Sequence, residues 1–247
     1  MSFAKKHVVI TGGTGEIGLT LAASFARQGA EVTLLDKVPP SGAVAATVEA
    51  IGARFQPMDV TDERSVQTAI GTLADIDVAI ANAGVHRGAR FLDLSPENWR
   101  LMLDVNLTGV FLFCQAAARK MVSRNAGGSI VITGSWVQDV PNMENTGYCT
   151  SKAGAGMLAR CMALELAEVG IRVNVVAPGI VDAGMAKRQI KVDPTFARKA
   201  VKGIPLGRLQ TADQVAQAVV FLSSEQAASI TGATLLVDGG LSLFKYE

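Results

Sequence analysis

A chain of 247 residues with a formal net charge of +1 carries no global field for nucleic acid or an anionic membrane, so neither is expected as a partner. Hydrophobic residues reach 49% and mean hydropathy is +0.30, yet the longest near-apolar stretch, 107–118, is broken by Thr108 and Gln115. That is well short of the ~20 residues a bilayer span needs. The N-terminal MSFAKKHVVI runs directly into a strand, so no signal peptide is expected. Cys114, Cys149 and Cys161 form an odd set without CxxC spacing, as in a reduced cytoplasmic protein. With only His7 and His86, neither a metal site nor a histidine-based triad is expected.

The first strand is expected at 7–11 and runs through Thr11-Gly12-Gly13-Thr14-Gly15-Glu16-Ile17-Gly18 into a helix at 15–28. Glycines there allow a tight turn and let backbone amides approach a pyrophosphate at the helix N-terminus. A second strand, 31–35, ends at Asp36, 18 residues beyond Gly18, where a carboxylate accepts from ribose hydroxyls and repels a 2′-phosphate. NAD is therefore favoured over NADP, with Lys37 read as either a loop lysine or a phosphate partner. A helix at 42–51 leads to a strand at 53–58, then Asp59-Val60 and a helix at 62–74. Asp59 is equally a helix cap and an adenine contact on this reading. The fourth strand, 76–81, ends in Asn82-Ala83-Gly84, where Asn82 either closes the turn or serves the cofactor.

One long helix is expected at 97–124, containing Asn106, a mediocre helix former. The fifth strand, 129–134, precedes Ser135, and a helix at 148–169 opens with Tyr148 and Lys152, four residues apart on one face. A phenol titrates near ~10, and an adjacent ammonium is expected to lower that value toward neutrality. Between Ser135 and Tyr148 lies a polar segment in which Trp136, Gln138 and Glu144 are candidate substrate contacts, and His86 and Arg87 are candidate neighbours of the site. Strands at 171–177 and 233–238 and a helix at 211–223 complete the pattern. Strand–helix alternation implies right-handed βαβ units. The expected fold is α/β, a Rossmann-type doubly wound, seven-stranded parallel sheet with helices on both faces, as a single domain over 1–247.

The turn at 11–18, Asp59-Val60, Asn82-Ala83-Gly84, Asn106, Ser135, Tyr148-x-x-x-Lys152, Pro178-Gly179 and Asp238-Gly239-Gly240 together resemble the short-chain dehydrogenase/reductase family over nearly the whole chain. The resemblance implies hydride transfer between a nicotinamide cofactor and a small-molecule substrate. Tyr148 would be the general acid/base and Ser135 the group that bonds the reacting oxygen. Lys152 would hold the nicotinamide ribose, and Asn106 a water linking Lys152 to solvent. Cofactor contacts are implied at Gly12, Thr14, Gly15, Glu16, Ile17, Gly18, Asp36, Asp59, Val60, Asn82, Ala83, Gly84, Tyr148, Lys152, Pro178, Gly179 and Val181.

The family also implies a substrate lid at about 184–204 and a homotetramer or homodimer formed through the helices at 97–124 and 148–169. The lid's basic residues (Lys187, Arg188, Lys191, Arg198, Lys199, Lys202) read better as a solvated helix face than as an anion trap. Two departures stand out: Glu16 replaces a usual glycine, and Ala183 replaces a usual threonine. The leading substrate is a sugar, polyol or similar hydroxylated compound. The alternatives are a 3-oxoacyl-thioester reductase using NADPH, opposed by Asp36, and a non-catalytic cofactor sensor, opposed by the intact Ser135, Tyr148 and Lys152.

Overall fold

Strands that read as apolar on both faces must be covered on both sides, and the chain does this with a single parallel sheet. In the computed structural model, which describes residues 2–243 apart from the side chains of Pro194 and Lys199, the strands run in the order β3-β2-β1-β4-β5-β6-β7. They are β1 (His7–Thr11), β2 (Glu31–Asp36), β3 (Arg54–Pro57), β4 (Val78–Ala81), β5 (Gly128–Thr133), β6 (Ile171–Pro178) and β7 (Thr234–Val237). Every residue of β1 and β4 is buried. The order reverses between these two strands, leaving a crevice at their carboxyl ends.

Helices α1 (Glu16–Ala26), α2 (Gly42–Ile51) and α9 (Ala212–Ser223) cover one face through Leu21, Phe25, Val48 and Val215. On the other face α3 (Glu63–Thr72), α5 (Gly109–Ser123) and α6 (Thr146–Leu166) contribute Val66, Phe113, Met121 and Ala159.

The single helix expected at 97–124 forms as one continuous helical run over Pro96–Ser123, with a π-turn within it. Ser95 caps α4 (Pro96–Leu103), accepting from the Asn98 N–H at 3.2 Å, and a π-turn over Asp104–Thr108 intervenes before α5. The turn carries Asn106 inward, where its amide grips the backbone of Val85 in both directions, Oδ1 accepting at 2.8 Å and Nδ2 donating at 2.9 Å. By length and composition the run Pro96–Ser123 is apolar enough to cross a membrane, but Val110, Phe113, Cys114, Ala117 and Met121 are buried on the protein's own core.

Helix α6 begins two residues earlier than expected, so Tyr148 and Lys152 both fall in its first two turns. The segment expected as a lid forms α7 (Gly184–Val192) and α8 (Pro194–Gly203). No residue of α7 is buried, as expected of a solvated basic face, while the side chain of Lys199 lies outside the described residues.

Candidate active site

The crevice is stitched shut at its floor by Asn82. Its Nδ2 donates to the carbonyls of Thr11 at 3.1 Å and Gly12 at 3.3 Å, and its Oδ1 accepts from Thr133 Oγ1 at 3.3 Å. One side chain thus ties together the ends of β1, β4 and β5, while Thr11 Oγ1 accepts from the Ala83 N–H at 3.0 Å. The glycine turn fits against this floor with no room to spare. Gly12 has φ 62°, and a Cβ there would sit 2.9 Å from Ala83 Cα. At Gly18 it would lie 2.3 Å from the Gly12 carbonyl, whereas Gly15 meets only that carbonyl, at 3.4 Å. The open side of the turn therefore faces outward at the amino end of α1.

Asp36, at the end of β2, accepts from Thr14 N–H and Oγ1 at 3.2 and 2.7 Å and from the Val38 N–H at 3.2 Å. Three of a carboxylate's roughly four acceptor positions are occupied, leaving capacity for one further donor. Asp59 does not cap α3. It folds back on Thr61, accepting from its N–H and hydroxyl at 2.9 and 2.8 Å, contacts that with Lys37 hold its carboxyl below the usual range. Asp62 is the cap. Val60 packs on Gly109, and the side chain of Val181 is buried in the core. Gly179 leaves no space for a side chain beside Gln210 and Asp238.

Lys152 is 3% exposed and Nζ donates to the Thr133 carbonyl at 2.7 Å. Burial pushes its ammonium down to about 8. Nζ lies 5.7 Å from the centroid of the Tyr148 ring, whose phenol is close enough to Ser135 to feel its hydroxyl. The expected lowering of the Tyr148 phenol is not found. Burial pushes it up to about 12, with Ser135 opposing, although the residue keeps partial solvent contact. Enclosure outweighs a lysine whose charge is spent on Thr133.

Both Asn106 Nδ2 donors are used, by the Val85 carbonyl and by Ser151 Oγ at 3.1 Å, so its side chain positions the chain beside Lys152. One further expectation is corrected. Gln138 is buried and turned away from the crevice, packed between Gly134 and Gly156 and donating to Thr234 Oγ1 at 3.3 Å. Trp136 is partly exposed beside Ser135, and Glu144 is exposed, with φ 63° and Arg90 3.6 Å away.

A family model described as enoyl-(acyl carrier protein) reductase matches residues 13–242. The L-rhamnose 1-dehydrogenase (NAD(P)(+)) of Azotobacter vinelandii is 34% identical, the match covering 98% of both chains. The 3-oxoacyl-[acyl-carrier-protein] reductase of Vibrio harveyi is 33% identical over 98% of this chain and 99% of its own. A gluconate 5-dehydrogenase from Burkholderia cenocepacia, solved with NADP and tartrate, superposes with a TM-score of 0.91 at 31% identity, covering 99% and 98% of the two chains. The chain belongs to the short-chain dehydrogenase/reductase family.

As a short-chain dehydrogenase/reductase it is an oxidoreductase of CH–OH and carbonyl groups that uses a nicotinamide cofactor. The glycines of the turn and the exposed amino end of α1 at Gly15 fit the diphosphate of such a cofactor. Sequence reasoning missed Thr133 and Ser151, ordinary residues given meaning only by the contacts just described. It also missed the partner of Glu16.

Glu16 stands in the first turn of α1, where a second anion would disfavour a diphosphate. The fold offsets it: Glu16 accepts from the Gly184 N–H at the start of α7 and pairs with Lys187 Nζ at 3.0 Å. The Gly184 hydrogen bond, then Lys187, lower the Glu16 carboxyl below 4.5, and Glu16 in turn raises the Lys187 ammonium above 10.5. A lowered carboxyl stabilises the clasp above its unfolded value and loses hold as pH falls through the folded one. A raised ammonium does the reverse, contributing below 10.5 and fading as pH rises through its folded value. The clasp is thus intact across neutral pH and opens in acid. Hydrogen exchange over 184–203 is expected to quicken roughly two- to fivefold in Glu16→Gln, the scale of one exposed ion pair. Unchanged exchange would show that the clasp does not hold α7.

Proposed function

We propose that this protein is an NAD-preferring dehydrogenase that oxidises a secondary alcohol of a sugar, polyol or similar small hydroxylated compound. The observation that carries the reading is Tyr148 set beside Ser135, its ring 5.7 Å from the Nζ of a buried Lys152 one turn on, at the carboxyl ends of β4 and β5 beside the glycine turn. When bound, the cofactor supplies the hydride acceptor and, oxidised, a positive charge near the phenol. Tyr148 Oη holds and exchanges the proton of the reacting oxygen, and Ser135 bonds that same oxygen as charge develops on it. A protonated Tyr148 is the form that delivers a proton to a carbonyl oxygen, so the free protein is set for reduction. Oxidation needs the phenol deprotonated, and an added positive charge favours that.

Gly12, Thr14, Gly15, Ile17 and Gly18 form the turn proposed to hold the diphosphate, with Ala83 and Gly84 beneath and Pro178 and Gly179 on the nicotinamide side. Preference for NAD rests on Asp36, reinforced by Asp59. Lys37 lies close enough to Asp59 to lower its carboxyl, so a 2′-phosphate would meet two carboxylates along with the one lysine. The polar wall of Trp136 and Glu144 suits hydroxylated substrates, as do relatives named for rhamnose and gluconate. A 3-oxoacyl-thioester reductase is the runner-up, favoured by the Vibrio relative and opposed by Asp36. We read residues 1–247 as one domain with α7 and α8 as its lid. The cytoplasm is the proposed compartment, in keeping with the absence of disulfides among the described cysteines.

Dehydrogenase activity is read from NADH absorbance across sugars, polyols, hydroxy acids and secondary alcohols, with a 3-oxoacyl thioester and NADPH run in reverse. Tyr148→Phe should lower kcat/KM at least ~100-fold while the protein still binds cofactor. A higher kcat/KM with NADP would overturn the role of Asp36, and undiminished turnover in Tyr148→Phe would overturn the enzyme reading.

Assembly is proposed through α5 and α6, where Phe111, Val122, Met157 and Leu164 are exposed at 41%, 44%, 55% and 82% beside a cleft of about 510 Å³. A second copy laid on this face would cover them. Light scattering should return a dimer or tetramer, and a clean 25.8 kDa species would contradict it.

A further inference from the structure

His86 follows the Asn82–Gly84 turn and stands edge-on to Tyr148, ring centroids 5.2 Å apart at 84°. It is not part of a free loop. The Ala89 N–H donates to the Glu144 carbonyl at 2.9 Å, Ala89 bridges Asn145, and Arg90 faces Glu144. The backbone around the imidazole is thereby pinned to the residues that open α6.

The protonation of the ring follows from its partner. Asn145 Nδ2 donates to the Met143 carbonyl at 2.8 Å, so the oxygen of that amide is the atom facing His86 Nε2. An amide oxygen only accepts, and His86 must therefore carry its proton on Nε2. Nδ1 of the neutral ring is then an acceptor, with no hydrogen-bond partner among the described residues. His7 shows the opposite arrangement. Its Nδ1 faces the Asp75 carbonyl at 2.7 Å and must donate, while Nε2 takes the hydroxyl of Thr33 at 2.8 Å.

An acceptor left open beside the proton-exchanging phenol is suited to a hydroxyl other than the reacting one. We propose that His86 is a specificity residue: its Nδ1 accepts a hydrogen bond from the hydroxyl on the carbon next to the one oxidised, so that the substrates are vicinal diols. The proposal rests on the polyol reading above and narrows it. A substrate whose reacting hydroxyl meets Tyr148 brings its neighbouring hydroxyl toward the imidazole, and a substrate lacking it leaves Nδ1 unpaired. Asn145 is a positioning residue in this arrangement, holding the ring and fixing its tautomer without touching substrate.

Two measurements test it. In long-range ¹H–¹⁵N correlation spectra the chain's two histidines are expected as opposite tautomers, Nε2–H at His86 and Nδ1–H at His7. Adding a vicinal diol should shift the His86 Nδ1 resonance, while its deoxy analogue should not. In kinetics, His86→Asn can keep an acceptor near the Nδ1 position, whereas His86→Gln carries its amide to the Nε2 position and leaves no acceptor near that of Nδ1. The ratio of kcat/KM for the best polyol to that for its deoxy analogue should fall about tenfold in Gln and be largely retained in Asn, the scale of one hydrogen bond. An unchanged ratio in His86→Gln, or an Nδ1–H tautomer at His86, overturns the inference. A wild-type enzyme that oxidises alcohols but no polyol defeats the substrate class of the proposed function as well. A polyol dehydrogenase with an unaltered ratio defeats this inference alone.

Discussion

The ammonium of Lys152 is buried with the Thr133 carbonyl as its hydrogen-bond partner, and much of the site is arranged around that constraint. A charge taken out of water is costly unless it is paired, and here the partner is a neutral carbonyl. The cost appears as an ammonium brought down to about 8. Asn106 packs alongside, drawn in by the π-turn, and Gly84 leaves the opening above: a Cβ there would stand 3.4 Å from Asn106 Oδ1 and 3.7 Å from Lys152 Nζ. The same enclosure that holds Lys152 raises the phenol beside it. Without ligand the site is therefore an acid with a weakened cation next to it, and the free protein does not hold a ready-made tyrosinate.

That enclosure depends on a rigid floor. Asn82 joins three strand ends at the point where the strand order reverses, and Thr133 serves it through a hydroxyl while serving Lys152 through a carbonyl. The nucleotide-binding turn and the reacting end are thus coupled through one residue of β5. Glu16 adds a second coupling, between the first turn of α1 and the first turn of α7. A carboxylate in the first turn of α1 is tolerated because the Gly184 N–H and Lys187 neutralise it.

Much of this was legible in the sequence because it is local. The strand–turn–helix at 7–18 follows from short-range glycine chemistry, and the four-residue spacing of Tyr148 and Lys152 follows from helical pitch. What escaped depends on distant contacts. The π-turn at Asn106 is made by Val85, 21 residues earlier, and Glu16 meets its partners 168 and 171 residues later. Gln138 looked like a loop residue because its neighbours are polar, yet small residues at Gly134 and Gly156 open a slot that takes its side chain inward. The direction of the Tyr148 shift lies beyond the sequence for a related reason: spacing reports which side chains share a helix face, while burial and the destination of the lysine proton do not follow from spacing.

The central claim is that enclosure, and not the nearby lysine, governs the Tyr148 phenol in the unliganded protein. Titrating ¹³C-labelled tyrosine by NMR, with Tyr148→Phe to assign the signal, tests this most directly. The account predicts that Tyr148 remains a phenol through pH ~10, the ordinary tyrosine value. A tyrosinate forming between pH ~7 and ~8 in the cofactor-free protein would contradict it.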